Sequence, residues 1–311
     1  MRKVRHYLEV GDLAAGEFAS VVNNALRWKR NGYPRSKPLA GKLVALVFQK
    51  PSTRTRVSFQ AAISKLGGNS FYLGWNELQL GRGESVDDTG KVLGRYVDAI
   101  VARVFGHQDL VALSNNGRAS VVNALSDRHH PCQALADVMT IFEFSKNPAK
   151  AKIVYVGDGN NVCVSLMQAC AMLGLKITVA SPKGYGPPES EVRKALSMAE
   201  ESGGEVTLTE DPKEAVKEAD FVYTDVFVSM GMEEERAKRL SVFLPEFQVN
   251  AGLMALAKPS AKFMHCMPMH LNEEVTPDVA YGPQSVIYDQ AENRMHTEAS
   301  LLAHLLAGRK A

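Results

Sequence analysis

Residues 43–59, LVALVFQKPSTRTRVSF, contain the transition that decides the fold. The first six, Leu43 to Phe48, form an uninterrupted apolar run, which is typical of a strand buried on both faces of a parallel sheet. A helix is predicted over 53–66, because Gly67 and Gly68 end it. The stretch therefore predicts a strand, a polar loop and a helix in immediate succession.

The same alternation of strand and helix continues along the rest of the chain. Asp12 is expected to cap the first helix, and residues 74–84 are predicted to be an exposed Gly-rich loop. Lys146 to Lys150, KNPAK, is the best candidate for a joint between two series. Further strands are predicted at 99–105, 120–125, 153–156, 176–180, 205–209, 221–225 and 262–266, and further helices at 12–30, 86–97, from 131, 162–173, 189–202, 212–218, 233–243 and 292–308. Two such series predict an α/β protein with two doubly wound parallel-sheet domains and helices on both faces.

Length and composition agree with this organisation. A chain of 311 residues is long enough for two domains, and its 45% hydrophobic and 23% charged residues are ordinary for a globular protein. The net charge of +2 provides no general attraction for nucleic acid or an anionic membrane. The apolar runs are far shorter than the roughly 20 residues of a spanning helix, and no secretory signal is visible. Four cysteines without such a signal indicate reduced thiols, and we expect a cytoplasmic protein.

The loop after the first strand has the chemistry of an anion site. Ser52, Thr53 and Thr55 supply hydroxyl groups where a helix begins, and helix N-termini present N–H groups and a positive dipole end to phosphate. Arg54 and Arg56 add guanidinium groups that match phosphate oxygens. No GxxxxGK[ST] spacing occurs, so this is a phosphate cradle without a Walker motif.

The segment FQKPSTRTRVSF closely resembles the carbamoyl phosphate signature of the aspartate and ornithine carbamoyltransferase family. By this resemblance Ser52, Thr53, Arg54 and Thr55 hold the phosphate of carbamoyl phosphate. The resemblance also implies that the C-terminal helix returns to the first domain. It assigns residues 1–147 plus 290–311 to a carbamoyl phosphate-binding domain, and residues 148–289 to an ornithine-binding domain.

His130-Pro131-Cys132-Gln133 opens a predicted helix after a strand. A histidine there can donate to a carbonyl oxygen and a glutamine can contact an amide, which are the groups needed to grip a carbamoyl moiety. Arg103 ends an apolar strand, where an arginine is costly unless it is paired. The family carries H-P-[CT]-Q at this place and an arginine that contacts carbamoyl phosphate, which implies these roles for His130, Gln133 and Arg103. A zinc site at His129, His130 and Cys132 is a weaker interpretation, because a second pair of ligands is missing.

Gly157-Asp158-Gly159-Asn160-Asn161 follows a strand and superficially resembles a dinucleotide fingerprint. The third glycine is missing, since residue 162 is valine, and the next strand ends without an acidic residue for a ribose. Nicotinamide binding is therefore disfavoured. In the family, G-D-x-N-N precedes the second-substrate helix, and the second asparagine, here Asn161, contacts the α-amino-acid group of ornithine.

Three later motifs extend the resemblance to nearly the whole chain. Thr224 to Gly231, TDVFVSMG, resembles the D-x-x-x-S-M-G loop of the ornithine-specific branch, in which Asp225 would hold the α-ammonium group. Ser229 and the backbone of Met230 would meet the rest of the α-amino-acid group. An acidic residue fits a cationic amino acid better than it fits aspartate.

His265-Cys266-Met267-Pro268 resembles the family's H-C-L-P motif, and 289–294, DQAENR, matches its terminal Q-A-E-N-R motif. By resemblance, Cys266 lies near the reacting amine and Met267 offers its backbone carbonyl. Arg294 contacts the carbamoyl group. Gln79, in the 74–84 loop, matches a residue that the family contributes to the site of a neighbouring subunit.

The resemblance implies transfer of a carbamoyl group from carbamoyl phosphate to L-ornithine, giving L-citrulline and phosphate, with Arg103, His130 and Cys266 as catalytic residues. It implies no metal and no organic cofactor, no nucleic-acid or membrane partner, and a homotrimer or a multiple of trimers. The reaction would serve arginine biosynthesis or a catabolic arginine deiminase pathway. Sister enzymes that use putrescine, N-acetylornithine or aspartate remain alternatives, as do a nucleotide-binding oxidoreductase and a non-catalytic paralogue.

Overall fold

The computed structural model of the chain describes residues 4–229 and 231–306. The strands are β1 Leu43–Phe48, β2 Asn69–Gly74, β3 Ala99–Arg103, β4 Ser120–Leu125, β5 Lys152–Val156, β6 Lys176–Ala180, β7 Glu205–Thr209, β8 Phe221–Thr224 and β9 Lys262–His265. The helices are α1 Ala15–Asn31, α2 Thr53–Lys65, α3 Val86–Tyr96, α4 His107–Ser114, α5 Pro131–Phe144, α6 Asn161–Met172, α7 Glu189–Ser202, α8 Pro212–Val216, α9 Arg236–Phe243, α10 Ala251–Met254, α11 Pro277–Ala280 and α12 Ile287–Leu306. Within the described residues, no helix combines the length and apolar composition that a membrane crossing requires.

The chain divides into two compact units. The first contains Met1–Met139 and Glu292–Ala311, and the second contains Thr140–Ala291. The boundaries fall inside α5 and α12, so the greater part of the C-terminal helix belongs to the first unit, as predicted.

The first unit is built on a four-stranded sheet in the order β2-β1-β3-β4, and all its strand pairs are parallel. Both faces of β1 are covered: Ala45 and Val47 join a cluster with residues of α3 and α4, while Val44 and Leu46, on the opposite face, are fully buried. The continuous apolar run therefore reflects burial on two faces, which confirms the predicted strand. In register, Phe48 pairs with Arg103, so the ends of β1 and β3 meet at one edge of the sheet.

The second unit contains a five-stranded parallel sheet in the order β7-β6-β5-β8-β9. Ile153 and Tyr155 of β5 pack into a cluster with α6 and α7, whereas Val154 and Val156 pack into a second cluster with α8, α9, α10 and α11. The side chains of one strand thus alternate between two helical layers, as a strand buried on both faces requires. The predicted doubly wound α/β architecture is confirmed.

Several local predictions were wrong or incomplete. Asp12 does not cap the first helix: α1 begins at Ala15, and the Asp12 carboxylate instead accepts hydrogen bonds from two preceding backbone N–H groups, at 2.6 and 3.0 Å. Residues 74–84 include two short 3-10 helices, Trp75–Glu77 and Gln79–Arg82. Strand β2 and helix α4 were not predicted, because β2 is only partly buried and α4 is short.

Candidate active site

The predicted anion cradle lies at the N-terminus of α2. Ser52 is the N-cap of the helix: its hydroxyl oxygen accepts from the N–H of Thr55 at 3.3 Å, and its O–H donates to Oγ1 of Thr55 at 3.0 Å. Thr55 is almost fully buried, whereas Thr53 and Arg54 are exposed. The loop is tied to the neighbouring strand, since the N–H of Gln49 donates to the carbonyl of Arg103 at 2.8 Å. This end of the sheet thus presents a helix N-terminus, the three hydroxyl groups of Ser52, Thr53 and Thr55, and the guanidinium group of Arg54.

Arg103 and His130 are both buried residues of the first unit. Arg103 is the last residue of β3, and His130 immediately precedes α5. Burial holds the pKa of His130 well below its usual range, and the positive charges of Arg294 and Arg103 lower this pKa further. The imidazole is therefore neutral at neutral pH, and a neutral ring still has one N–H to donate to a carbonyl oxygen.

Gln133 and Arg294 belong to one hydrogen-bonded network between α5 and α12. Nη1 of Arg294 donates to Oε1 of Gln133 at 2.8 Å, and Nε2 of Gln133 donates to Oδ1 of Asp137 at 2.8 Å. Nε of Arg294 also donates to Oε1 of Glu298 at 3.0 Å. All four side chains are nearly or fully buried. The network therefore fixes the orientation of both predicted substrate-binding side chains before any ligand arrives.

The ionisation of Glu298 reflects this environment. Burial raises the pKa of Glu298 to about 7, although the positive charge of Arg294 and hydrogen bonds from Ser58 and Arg294 act in the opposite direction. Burial therefore favours the neutral, protonated form of this carboxyl group more than in an exposed glutamate. The charge that balances Arg294 is therefore sensitive to pH.

Gln79 lies at the start of the 3-10 helix Gln79–Arg82, and its side chain is exposed. Its carbonyl accepts from the N–H of Glu84 at 3.2 Å. In the part of the chain that the structure describes, the Gln79 side chain makes no hydrogen bond to the cradle. Its contribution to a neighbouring subunit stays a prediction.

Asp225 is the centre of the predicted acceptor site in the second unit. It directly follows β8 and is 6% exposed. Its Oδ2 accepts from Nδ2 of Asn160 at 2.8 Å, and its Oδ1 accepts from Sγ of Cys266 at 3.1 Å. Asn160 follows β5 and Cys266 follows β9, so the three side chains come from the carboxyl ends of adjacent strands. Ligands of doubly wound sheets bind at such an edge.

Asn160, and not Asn161, caps α6. The Asn160 side chain accepts from the N–H groups of Val162 and Cys163, while Asn161 is the first helical residue and is half-buried. The side-chain oxygen of Asn160 accepts from the helix N–H groups, so its amide nitrogen donates to Asp225. The side chain of Asn161, in contrast, does not cap the helix.

The segment around Met267 is held by the buried pair His265 and Glu274. Nδ1 of His265 accepts from the N–H of Met267 at 2.8 Å, and Nε2 of His265 lies 3.3 Å from Oε1 of Glu274. Both side chains of the pair are fully buried. Met267 has a φ of +55°, a conformation that a non-glycine residue adopts only where its surroundings impose it. The fold therefore holds the backbone of Met267 in this conformation.

Ser229 is half-buried, and its carbonyl accepts from the N–H of Met232 at 3.0 Å. The N–H of Gly231 donates to both carboxylate oxygens of Glu233, at 3.1 and 3.0 Å. Gly231 has a φ of +95°, which favours glycine at this position. Met230, also predicted to contact the acceptor, lies outside the described residues.

Gly159, in the Gly157–Asn161 turn, packs against the backbone of residues 184–187. The N–H of Gly159 donates to the carbonyl of Tyr185 at 2.7 Å, and a Cβ at residue 159 would lie only 2.1 Å from the backbone nitrogen of Pro187. The glycine is thus required for packing of the 184–187 segment. Packing therefore accounts for the glycine at residue 159, and no role in nucleotide binding is needed to explain it.

The contacts that the candidate ligands already make argue against a metal ion at this site. Asp225, His265 and Cys266 have ligand atoms within 4.8 Å of one another. However, Nδ1 of His265 already accepts a backbone N–H and its Nε2 faces Glu274, so a metal ion bound by either nitrogen would displace the contact of that nitrogen. The alternative zinc site in the first unit is not supported by the geometry: His129 pairs with Glu9 at 3.3 Å, and Cys132 donates to a backbone carbonyl at 3.3 Å.

Three residues outside the predicted set hold predicted site residues directly, and a fourth, Glu274, acts through His265 on Met267. Asp137 and Glu298 lie four residues after Gln133 and Arg294, and this spacing on a predicted helix was an available signal. Asn160 carried a signal as well, since asparagine is a favoured N-cap. Glu274 carried none, because it belongs to no motif and reaches His265 only through the fold.

Known proteins resemble this chain along almost its entire length. Residues 5–143 match the family described as "Aspartate/ornithine carbamoyltransferase, carbamoyl-P binding domain". Residues 149–305 match "Aspartate/ornithine carbamoyltransferase, Asp/Orn binding domain". An ornithine carbamoyltransferase from Pyrococcus abyssi is 52% identical over 311 residues, which cover 99% of this chain and 98% of the relative. One from Listeria innocua is 49% identical over 290 residues, which cover 93% of this chain and 92% of the relative.

The fold is shared with solved structures as well. The ornithine carbamoyltransferase from Pyrococcus furiosus superimposes with a TM-score of 0.93 at 49% sequence identity, covering 99% of both chains. The anabolic enzyme from Campylobacter jejuni superimposes with a TM-score of 0.92 at 37% identity, covering 97% of this chain and 99% of the other. Motifs, architecture and near-complete coverage agree, and the chain belongs to the aspartate/ornithine carbamoyltransferase family.

Proposed function

We propose that this protein transfers the carbamoyl group of carbamoyl phosphate to the δ-amine of L-ornithine, giving L-citrulline and phosphate. The observation that carries the choice of acceptor is Asp225, a buried carboxylate held by Asn160 and Cys266. A fixed negative charge at that point suits the α-ammonium group of an amino acid. The product places the reaction in arginine metabolism, in a biosynthetic or a catabolic direction.

Carbamoyl phosphate binds through its phosphate at the N-terminus of α2. The N–H groups of the first helical turn and the hydroxyls of Ser52, Thr53 and Thr55 supply hydrogen-bond donors. Arg54 is exposed at this helix start and adds a positive charge. The phosphate is the leaving group, so the same donors stabilise the charge that it gains as the bond from carbon to phosphate oxygen breaks.

The carbamoyl carbonyl is polarised by Thr55, Arg103 and His130. Because the low pKa of His130 keeps its ring neutral, the histidine acts as a hydrogen-bond donor to the developing oxyanion, and the positive charge comes from Arg103. Gln133, Arg294 and the carbonyl of Met267 orient the carbamoyl amide. Gln133 and Arg294 are already held to each other at 2.8 Å, so little ordering is needed on binding.

Ornithine binds through its α-amino-acid group to Asn161, Asp225, Ser229 and the backbone of Met230. Its δ-amine must be neutral to attack, although an amine of this type is protonated in water at neutral pH. The lone pair of the neutral amine forms the new C–N bond and the bond from carbon to phosphate oxygen breaks. The attacking nitrogen loses one proton, which ends on the departing phosphate, so the products are citrulline and hydrogen phosphate. Cys266 lies beside the carboxylate of Asp225 and contributes to the electrostatic environment in which the amine gives up this proton.

The two substrates are assigned to different domains. Residues 1–147 plus 290–311 form the carbamoyl phosphate-binding domain, and residues 148–289 form the ornithine-binding domain. The reaction needs no metal and no organic cofactor, because its catalysis rests on orientation and hydrogen bonding of two substrates. Carbamoyl phosphate and L-ornithine are the expected partners, and the cytoplasm is the expected location.

The active assembly is proposed to be a homotrimer or a multiple of trimers, with Gln79 entering the site of a neighbouring subunit. Its exposed side chain is compatible with such a role. Light scattering coupled to an activity assay tests this idea, because an active monomer contradicts it. A Gln79→Ala variant that keeps its assembly but loses turnover supports a shared site.

Acceptor choice is tested by assaying citrulline or other ureido products with carbamoyl phosphate and, in parallel, ornithine, putrescine, N-acetylornithine and aspartate. Turnover with ornithine alone supports the proposal. Putrescine has no α-amino-acid group for Asp225 and Ser229 to hold, and N-acetylornithine lacks the charged α-ammonium group. Turnover with either in preference to ornithine contradicts the role given to Asp225.

A further inference from the structure

The acceptor segment is anchored at Phe227, two residues after Asp225. The Phe227 ring is fully buried and stacks on Phe243 of α9 with a centroid distance of 4.5 Å. Its backbone carbonyl accepts from Nε of Arg239 at 2.5 Å. Arg239 is itself 5% exposed, although it lies on a helix with mostly exposed neighbours. A buried guanidinium group thus holds the backbone just before Ser229.

The other side of the same guanidinium group holds the turn after β5. Nη2 of Arg239 lies 2.6 Å from Oδ2 of Asp158, which is 8% exposed. The guanidinium group also lies against the rings of Tyr185 and Phe243, at 5.1 and 5.6 Å from their centroids. Burial raises the pKa of Asp158 to about 6, while the charge of Arg239 opposes the shift. Such a desolvated pair is an expensive way to stabilise a fold, which suggests that it has a further role.

Arg239 therefore connects two backbone segments that approach the same ligand. Asp158 is two residues from Asn160, and Asn160 holds Oδ2 of Asp225 at 2.8 Å. Phe227 is two residues from Ser229. The turn that contains Asp158 is held in position, because Gly159 packs directly against the backbone at Pro187. The guanidinium group of Arg239 thus links two segments: the turn whose Asn160 holds Asp225, and the Phe227 backbone that leads to Ser229.

We propose that Arg239 is a positioning residue for the acceptor amino acid: it ties the carbonyl of Phe227 to Asp158, and so sets the distance between Ser229 and Asp225. This inference rests on the proposed function, in which those two residues hold the α-amino-acid group. Arg239 does not touch the substrate. Its loss weakens binding of the acceptor and leaves carbamoyl phosphate binding intact, because the cradle is formed by another part of the chain.

The experiment compares Arg239→Gln and Arg239→Lys with the wild-type enzyme. We expect the KM for L-ornithine to rise at least about tenfold in Arg239→Gln, because the side chains that hold the α-amino-acid group are then no longer kept in place before the substrate binds. The KM for carbamoyl phosphate should stay within about twofold, as expected for a lost contribution to acceptor binding alone. Arg239→Lys should show a smaller rise, because lysine keeps the charge but cannot serve both partners with a planar fork.

A binding measurement separates this inference from the proposed function. L-norvaline keeps the α-amino-acid group of ornithine but has no δ-amine, so it can bind without reacting. Calorimetric titration in the presence of carbamoyl phosphate should show its Kd rising in parallel with the ornithine KM. If the wild-type enzyme forms no citrulline, the proposed function fails. If it forms citrulline and the Arg239 variants bind norvaline normally, only the positioning role fails.

Arg236→Gln is the matched control, since Arg236 begins the same helix but is exposed and pairs with Glu273. It should leave both KM values unchanged. In the double variant Arg239→Gln with Asp158→Asn, the rise in ornithine KM should be no larger than in Arg239→Gln alone, because the two residues act as one unit. Additive effects overturn the proposal. Failure of both Arg239 single variants to fold also overturns it, because Arg239 would then serve the fold of the unit.

Discussion

The thiol of Cys266 donates to Oδ1 of Asp225 at 3.1 Å. The two residues are 41 positions apart in the sequence, yet each directly follows one of two adjacent parallel strands, β8 and β9. The relationship joins the residue proposed to select the acceptor with the residue proposed to lie near the reacting amine. It also means that the carboxylate is oriented by two donors, Cys266 and Asn160, before the substrate binds.

Replacement of Asp225 by asparagine should damage acceptor binding selectively. Asparagine keeps the size of the side chain but removes the charge that pairs with an α-ammonium group. We expect kcat/KM for ornithine to fall about 10- to 100-fold, because a lost charged hydrogen bond costs about 1.5–3 kcal/mol. Steady-state kinetics with each substrate varied in turn measures this effect. Asp278→Asn, at an exposed helix start, is the control and should behave as wild type; a normal kcat/KM in Asp225→Asn contradicts the selection role.

The Cys266–Asp225 hydrogen bond predicts an order among Cys266 variants. Serine retains a donor for Oδ1 of Asp225, whereas alanine leaves this buried oxygen without it. An unsatisfied buried acceptor costs about 1–3 kcal/mol, so Cys266→Ala should lose about 5- to 160-fold in kcat/KM for ornithine and Cys266→Ser clearly less. The two variants are controls for each other in the same assay. Equal losses would show that the sulfur matters for a reason other than this hydrogen bond.

Arg54→Ala should abolish measurable turnover while the fold is retained. The side chain is exposed at the start of α2, so its removal leaves no cavity, but the cradle loses a charge that pairs with phosphate. Citrulline formation and far-UV circular dichroism check the two halves of this prediction. Arg35→Ala, also exposed but outside the cradle, should keep normal activity. Near-normal turnover of Arg54→Ala removes the argument for an anion cradle.

His130 should make the stability of the protein depend on pH. Its pKa is lowered well below 6.5 by burial and by Arg294 and Arg103, so the folded protein binds fewer protons at this residue than the unfolded chain does. Its contribution to stability is present above the unfolded pKa of about 6.5 and is lost as pH falls below it, by up to about 1.4 kcal/mol per pH unit. Glu298 has the opposite sign: its contribution is present at low pH and is lost as pH rises through about 7.

A comparison of wild type with His130→Gln separates the contribution of His130 to the pH dependence of stability from that of carboxyl groups such as Glu298. Both proteins contain the same carboxyl groups. Free energies of unfolding from urea titrations between pH 8 and pH 5 should converge below about pH 6.5, because only the wild type loses stability through His130. His270→Gln, at an exposed position, should run parallel to wild type over the same range. A constant difference between wild type and His130→Gln would contradict a neutral, buried imidazole.

Some parts of the site were predictable because their signals are local. The apolar run Leu43–Phe48 and the following Ser52 are contiguous, and a strand followed by a helix cap needs only neighbouring residues to be recognised. The pairing of Arg294 with Gln133 spans 161 positions, and no local pattern encodes it. Strand β2 escaped prediction for a related reason: it is an edge strand with only partly buried side chains, so it lacks the strong apolar signal of β1.

The sequence by itself determined the alternation of strands and helices, the parallel class of the sheets and the set of motif residues at strand ends. These depend on periodicity, capping and apolar runs, which act over a few residues. Only the tertiary structure decided which of those residues contact one another and what charge they carry. Arg239 reaches Asp158 and Phe227 through the packing of α9, and His130 is neutral because the fold buries it near two guanidinium groups. Distances and desolvation arise from packing between distant segments, so they exist only once the chain is folded.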